Sequence, residues 1–212
     1  MKLRVYEIFH SLQGESSRVG LPTVFVRLTG CPMRCVYCDT EYAFTGGGNM
    51  TFDEIMAKVA SYGTKYVTVT GGEPLAQKAC FDLLKLLCDA GYEVSLETGG
   101  AIDTTNVDQR VTVILDVKTP GSGEMENNVW TNLEHLKPKD EVKFVLCDRQ
   151  DYEWAKQLLA ERGISDKCSV LFSPVYSQVN PTELADWILQ DKLPVRMQVQ
   201  LHKILWGETP GK

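Results

Sequence analysis

Cys31, Cys35 and Cys38 lie on one short loop, Gly30 to Thr40, with the spacing C-x3-C-x2-C. A structural zinc site normally closes with four Cys or His ligands. None of the other cysteines, Cys80, Cys88, Cys147 and Cys168, is paired at zinc-finger spacing. Three thiolates on one loop suit three irons of a [4Fe–4S] cube, for which thiolate is the usual protein ligand. The fourth iron then lacks a protein ligand and is open to a small molecule. Tyr37, just before the last cysteine, adds an aromatic to the pattern.

Other groups of residues have chemical potential of their own. Thr70-Gly71-Gly72-Glu73-Pro74 follows a strand-like run, where α/β enzymes place their ligands. Its glycines permit close approach to backbone and its proline fixes a turn, although a plain strand–helix turn has the same composition. Gln13 and Glu15 can together read a guanidine-like edge, the carboxylate accepting from amino groups and the amide both giving and accepting. Arg27 can clamp a carboxylate with two prongs. Alone, these three also fit a polar loop and a solvent-facing strand arginine, and Thr40 alone fits a turn cap.

Strand-like and helix-like segments alternate along the chain. Residues 23–28, 66–70, 92–97, 111–117, 141–146, 168–172 and 195–199 read as strands. Thr51-Phe52-Asp53-Glu54 has the capping-box form and opens a helix to about Ala60. Further helices are expected over 78–90, stopped by Gly91, and over 151–162, and another starts at Asn180-Pro181. The alternation predicts a parallel α/β sheet with too few strands for a complete eight-fold barrel. A partial, abbreviated (β/α) barrel of about six parallel strands is expected, as a single domain over residues 1–212. The stretch between Cys38 and Thr51, with Gly46-Gly47-Gly48 in it, is too short for an ordinary helix.

Composition narrows the function. The 212 residues carry a net charge of −6, which argues against nucleic-acid binding through a wholesale basic surface. No apolar run is long enough to span a membrane, and no signal pattern precedes the first cysteine. A reducing, cytoplasmic setting is expected, where clustered cysteines bind metal or do chemistry.

Together, SLQGE at 11–15, FVRLTGCP at 25–32, CVYCDT at 35–40, TGGEP at 70–74, LETGG at 96–100 and QVQLHK at 198–203 resemble the 7-carboxy-7-deazaguanine synthases of the radical S-adenosylmethionine (SAM) superfamily. The resemblance implies conversion of 6-carboxy-5,6,7,8-tetrahydropterin to 7-carboxy-7-deazaguanine, with loss of ammonia, in the 7-deazapurine (queuosine) pathway. It implies a [4Fe–4S] cluster on Cys31, Cys35 and Cys38, SAM chelated by the open iron, and Mg²⁺ on the Thr40 hydroxyl. It further implies SAM contacts at Tyr37, Cys38, Asp39 and Gly72. Weaker carry-over adds Asp116-Val117-Lys118, where relatives often have Ser-Pro-Lys, and Ser173-Pro174-Val175-Tyr176. Leu12, Gln13, Gly14, Arg27 and Thr70 are the implied substrate contacts, and Glu15 and Glu97 the implied catalytic carboxylates. His202 is the one histidine expected near the site. A flavodoxin-like electron donor and a homodimer belong to the same expectation. The residues after His202-Lys203 form a longer tail than the resemblance implies, which bears on any substrate contact by the terminal carboxylate. A glycyl-radical activating enzyme and a non-catalytic zinc module are the alternatives.

Overall fold

The computed structural model describes residues 1–207, 209 and 211, so the terminal carboxylate at Lys212 lies outside the described residues. Nine strands form one sheet: β1 (Lys2–Leu12), β2 (Pro22–Leu28), β3 (Gly48–Thr51), β4 (Tyr66–Gly71), β5 (Glu93–Thr98), β6 (Thr112–Asp116), β7 (Glu141–Leu146), β8 (Ser169–Pro174) and β9 (Arg196–Met197). Their order is β3-β1-β2-β4-β5-β6-β7-β8-β9. From β2 through β4 to β9 every pairing is parallel, giving seven parallel strands where about six were expected. The result is an open, partial barrel.

β1 was not foreseen. It pairs antiparallel with β2 and, over Lys2–Val5, with β3. A bulge between Val5 and Glu7 breaks its two-residue alternation, so the apolar pattern changes face midway and reads as mixed polar sequence. Between Cys38 and Thr51 a single 3-10 turn (Glu41–Ala43) and β3 stand where a fuller barrel would place a helix.

Helices α1 (Phe52–Ala60), α2 (Cys80–Asp89), α3 (Arg149–Arg162) and α4 (Pro181–Asp191) connect the parallel strands. Thr51 and Glu54 close the predicted capping box on α1, and the Asn180 side chain caps α4 at Thr182. The expected strand at 195–199 shrinks to the two residues of β9, and a short helix α5 (Leu201–Trp206) follows.

Alternation along the strands sorts side chains to two sides. Val24, Val26, Val67, Val69, Val94, Leu96, Val113, Leu115, Val142 and Phe144 are buried in the apolar core beside Ile55, Leu83, Leu84 and Leu158 of the helices. The intervening positions, Arg27, Thr70, Glu97, Asp116 and Lys143 among them, line a cavity on the barrel side. A parallel strand covered on both faces normally reads as a continuous apolar run. These read apolar–polar because their inner face is a site.

Candidate active site

The cavity is about 670 Å³. Its mouth is built at the carboxyl ends of the parallel strands. The cysteine loop follows β2, Gly71 and Gly72 close β4, and Thr98-Gly99 end β5. Its other end is closed by residues 13–17. These follow the antiparallel β1, whose Leu12 pairs with Pro22 at the start of β2. Ser17 hydrogen-bonds to Glu141 at the start of β7, and Arg18 Nη1 donates to the Glu93 carbonyl at the start of β5 (2.9 Å). Gln13 and Glu15 therefore rise into the barrel from the end opposite the cysteines.

Cys31, Cys35 and Cys38 are half-buried free thiols on the cavity wall. Burial pushes Cys35 up to about 11 and raises Cys31, so neither is a thiolate at neutral pH without a bound metal. Backbone bonds hold the loop: Gly30 N to Ala43 O (2.9 Å), Glu73 N to Gly30 O (2.8 Å) and Val36 N to Ser122 O (3.1 Å). Gly72 is where this loop meets β4. A Cβ there would sit 2.4 Å from Gly30 O and 2.6 Å from the Cys31 Cβ, so the cysteine loop requires glycine beneath it. The fit to a cluster rests on these three thiols facing one space from a braced loop. Among the described residues no three Cys, His, Asp or Glu side chains gather around a position for a single metal ion.

The GGE sequence divides its roles. Gly72 lines the cavity, whereas the Glu73 carboxylate is fully buried and turned into the strand ends. It accepts from Leu75 N (3.0 Å), Thr98 Oγ1 (2.8 Å) and Gly99 N (2.8 Å), tying β4 to β5.

Inside, a buried polar network spans the cavity. Glu97 accepts from Gln13 Nε2 (3.2 Å) and Thr70 Oγ1 (3.0 Å), both neutral donors. Burial raises its carboxyl, and Lys143 only partly offsets this. Lys143 Nζ lies 2.6 Å from Glu15 Oε2 and 3.4 Å from Asp116 Oδ2, and Lys118 Nζ lies 3.1 Å from the same Asp116 oxygen. Burial opposes ionisation of Glu15 and Asp116, yet these ammonium groups bring both below the ordinary carboxylate value. The three carboxyls are thus sorted by their neighbours.

Arg27 lines the cavity but is not an unpaired clamp: its Nε is 2.8 Å from Glu7 Oε1, and its guanidinium lies over Phe9 and Tyr42 (5.7 Å each). The terminal Nη atoms have no hydrogen bond among the described residues and remain to meet a ligand. Thr40 also lines the cavity. Its hydroxyl caps no helix, which removes the turn-cap alternative; it sits 3.7 Å from Cys38 Sγ. Of the five buried side-chain polar atoms without a partner among the described residues, two belong to residues that line the cavity, Asp116 Oδ1 and the Tyr37 hydroxyl, as suits groups that meet a ligand.

Leu12, Gly14, Asp39, Val175 and Tyr176 reach the cavity as expected. Val117, Ser173 and Pro174 do not. Val117 sits between two inward-facing residues, Asp116 and Lys118, so alternation turns it into the apolar core. Ser173 and Pro174 are buried at the end of β8, and only the next two residues emerge on the cavity side.

Lys143, Gln200 and Lys203 were not foreseen as site residues. Gln200 Nε2 donates to Glu15 Oε1 (2.7 Å) and Lys203 Nζ pairs with Asp39 (3.1 Å). His202 lines the cavity as expected and packs on Gly14, where a Cβ would come within 2.0 Å of its Nδ1. The signal for Lys143 is the alternation Val142-Lys143-Phe144: a lysine at an inner position of a parallel strand faces the site.

The Radical SAM superfamily model matches residues 25–189, from β2 into α4. A 7-carboxy-7-deazaguanine synthase from Chlorobaculum tepidum is 50% identical over 97% of this chain and 94% of its own length. The synthase from Koribacter versatilis is 44% identical over 99% of this chain and 100% of its own. The fold is similar to the crystal structure of QueE from Escherichia coli, with a TM-score of 0.78 at 23% identity over 95% of each chain. The match to the superfamily begins at the strand that carries the cysteine loop, and the synthases align along both ends of the cavity. The chain therefore belongs to the radical SAM superfamily and, within it, to the 7-carboxy-7-deazaguanine synthases.

Proposed function

We propose that the cavity converts 6-carboxy-5,6,7,8-tetrahydropterin to 7-carboxy-7-deazaguanine with loss of ammonia, in 7-deazapurine biosynthesis. The chain is a radical SAM enzyme whose cofactors are a [4Fe–4S] cluster, SAM and Mg²⁺. The observation that carries the substrate assignment is one cavity with three thiols at one end and Gln13, Glu15 and Arg27 deep within it. Its volume falls in the range of ligand pockets. A glycyl-radical activating enzyme or a zinc module gives those three polar residues nothing to bind. When bound, the cluster and SAM supply the one-electron chemistry that opens the substrate ring to rearrangement.

The chain's own residues bind, orient and move protons. Cys31, Cys35 and Cys38 hold the cluster. Gln13 and Glu15 read the amino-pyrimidine edge of the pterin, and the Arg27 Nη atoms take its carboxylate while Glu7 holds Nε. Glu97 keeps its proton to higher pH than the other two carboxyls and is the donor to the departing nitrogen. Asp116 Oδ1 accepts from a ligand hydroxyl or ammonium. A flavodoxin-like donor, a homodimer, a cytoplasmic setting and action as one domain complete this reading on the resemblance. Anaerobic turnover of the pterin with SAM and a chemical reductant tests it: absence of 7-carboxy-7-deazaguanine overturns it.

Two substitutions test individual roles. A guanidinium–carboxylate bond contributes about 1.5–3 kcal/mol. Arg27→Lys cannot both hold Glu7 and present two terminal nitrogens. Its KM for the pterin is therefore expected to rise about ten-fold or more, with SAM affinity near the parent's; parallel kinetics would leave Arg27 a structural partner of Glu7. If the Thr40 hydroxyl ligates Mg²⁺, the metal completes its shell with substrate oxygens and waters. Thr40→Val then loses most turnover and its Mg²⁺ response, and Thr40→Ser keeps a good part of both. Turnover against Mg²⁺ concentration decides, and a parent-like response in Thr40→Val would remove the ligand role.

A further inference from the structure

Lys143 is the buried cation of this cavity that neither the cysteine loop nor the SAM-side motifs explain. It stands in the middle of β7, faces inward, and its side chain is 13% exposed. Its ammonium bridges Glu15, from the loop after β1, and Asp116, from β6. Glu97 on β5 faces it as well, and Lys118, Asp39 and His202 complete the charged and titratable groups around it.

The geometry fixes one half of Glu15. Oε2 is held by Lys143 and Oε1 by Gln200, so each oxygen keeps one lone-pair direction for a ligand. A carboxylate held from both sides can present those directions side by side to two N–H donors of an amino-pyrimidine edge. A free glutamate on a loop would have to be ordered at the moment of binding. Lys143 also separates the carboxyls chemically, because it touches Glu15 and Asp116 while Glu97 has only neutral donors.

We propose that Lys143 is a positioning residue for substrate recognition: it holds Glu15 anionic and aimed at the donor edge of the pterin, leaving Glu97 as the carboxyl that carries a proton. This rests on the substrate assigned above. Burial alone would lift Glu15 above the ordinary carboxylate value, and Lys143 is the largest opposing influence. Removing the ammonium therefore leaves Glu15 protonated in the acidic part of the working range and ionised only as pH rises. Binding that needs the anion is then weakest at low pH and recovers upward.

The experiment measures pterin affinity in the cluster-loaded holoenzyme with SAM and without reductant, so nothing turns over, from pH 6 to 9. Parent affinity is expected to be nearly flat over that range. Lys143→Met, close in length and without charge, is expected to bind about 30-fold more weakly at pH 6, with the deficit narrowing to a few-fold by pH 9. SAM affinity should stay within about three-fold of the parent's. A deficit that is absent, or equal at all pH values, overturns the proposal. If Lys143→Met does not fold, the parent decides: a ten-fold loss of affinity from pH 8 to pH 6 means that Glu15 is not held ionised, and the proposal fails. A parent that does not bind the pterin at any pH instead overturns the substrate assignment itself.

Discussion

Cys35→Ala, assembled anaerobically, is expected to lose the charge-transfer absorption of a four-iron cluster and all cleavage of SAM. The same holds for Cys31→Ala and Cys38→Ala. Each thiol lines the cavity from a loop fixed by backbone bonds, so alanine at any one position leaves only two thiols on that loop to hold the cluster. Cys80 and Cys168 are buried and Cys88 packs against the core, where a thiol behaves as a small hydrophobe. Cys88→Ser is expected to keep four irons per chain and to cleave SAM as the parent does. Iron analysis and the yield of SAM cleavage products check both arms. Four irons retained in Cys35→Ala would sink the assignment.

The second large effect concerns stability. Glu73→Gln is expected to lower it by about 2–4 kcal/mol, because the buried carboxylate accepts from Leu75 N, Thr98 Oγ1 and Gly99 N. An amide turns an N–H₂ group toward some of those donors and leaves them unpaired. For a chain of this size the loss corresponds to about 5–15 °C in Tm. The cysteine loop should loosen with it, since Glu73 N donates to Gly30 O at the base of that loop. Thermal unfolding of cluster-free and cluster-loaded protein measures the effect. If Tm does not move and SAM affinity collapses, Glu73 is a ligand contact and its bracing role is wrong.

Much of this site is legible in the sequence. The cysteine spacing and the run from Thr70 to Pro74 located the mouth of the cavity because short-range spacing constrains short loops. β4 to β8 were legible because each is a short β-branched or alternating run, with α2 setting β4 apart from β5 and α3 setting β7 apart from β8. What escaped was long-range. β1 was obscured by a bulge that moves its apolar residues to the other face. Lys143 was hidden because its partners Glu15 and Asp116 come from distant segments, although its inner position could be read from alternation within β7. Alternation would also have kept Val117 out of the site. The bracing role of Glu73 was not legible, because a motif names a residue and not the direction its side chain takes.

One connection across the cavity has a kinetic meaning. Gln200 hydrogen-bonds to Glu15 and Asp39, residues 185 and 161 positions earlier in the chain. Gln198 and Leu201 are bonded in the same way to Ser16 and Gly14. The wall that covers Glu15 is therefore synthesised long after the cysteine loop and its supporting strands β2 and β4. Contacts of such high sequence separation form late, after the entropy of closing the intervening chain has been overcome. The segment that covers Glu15 is thus expected to be the last part of the wall to close, which hydrogen exchange during refolding would show as late protection of the Leu201 amide that donates to Gly14 O.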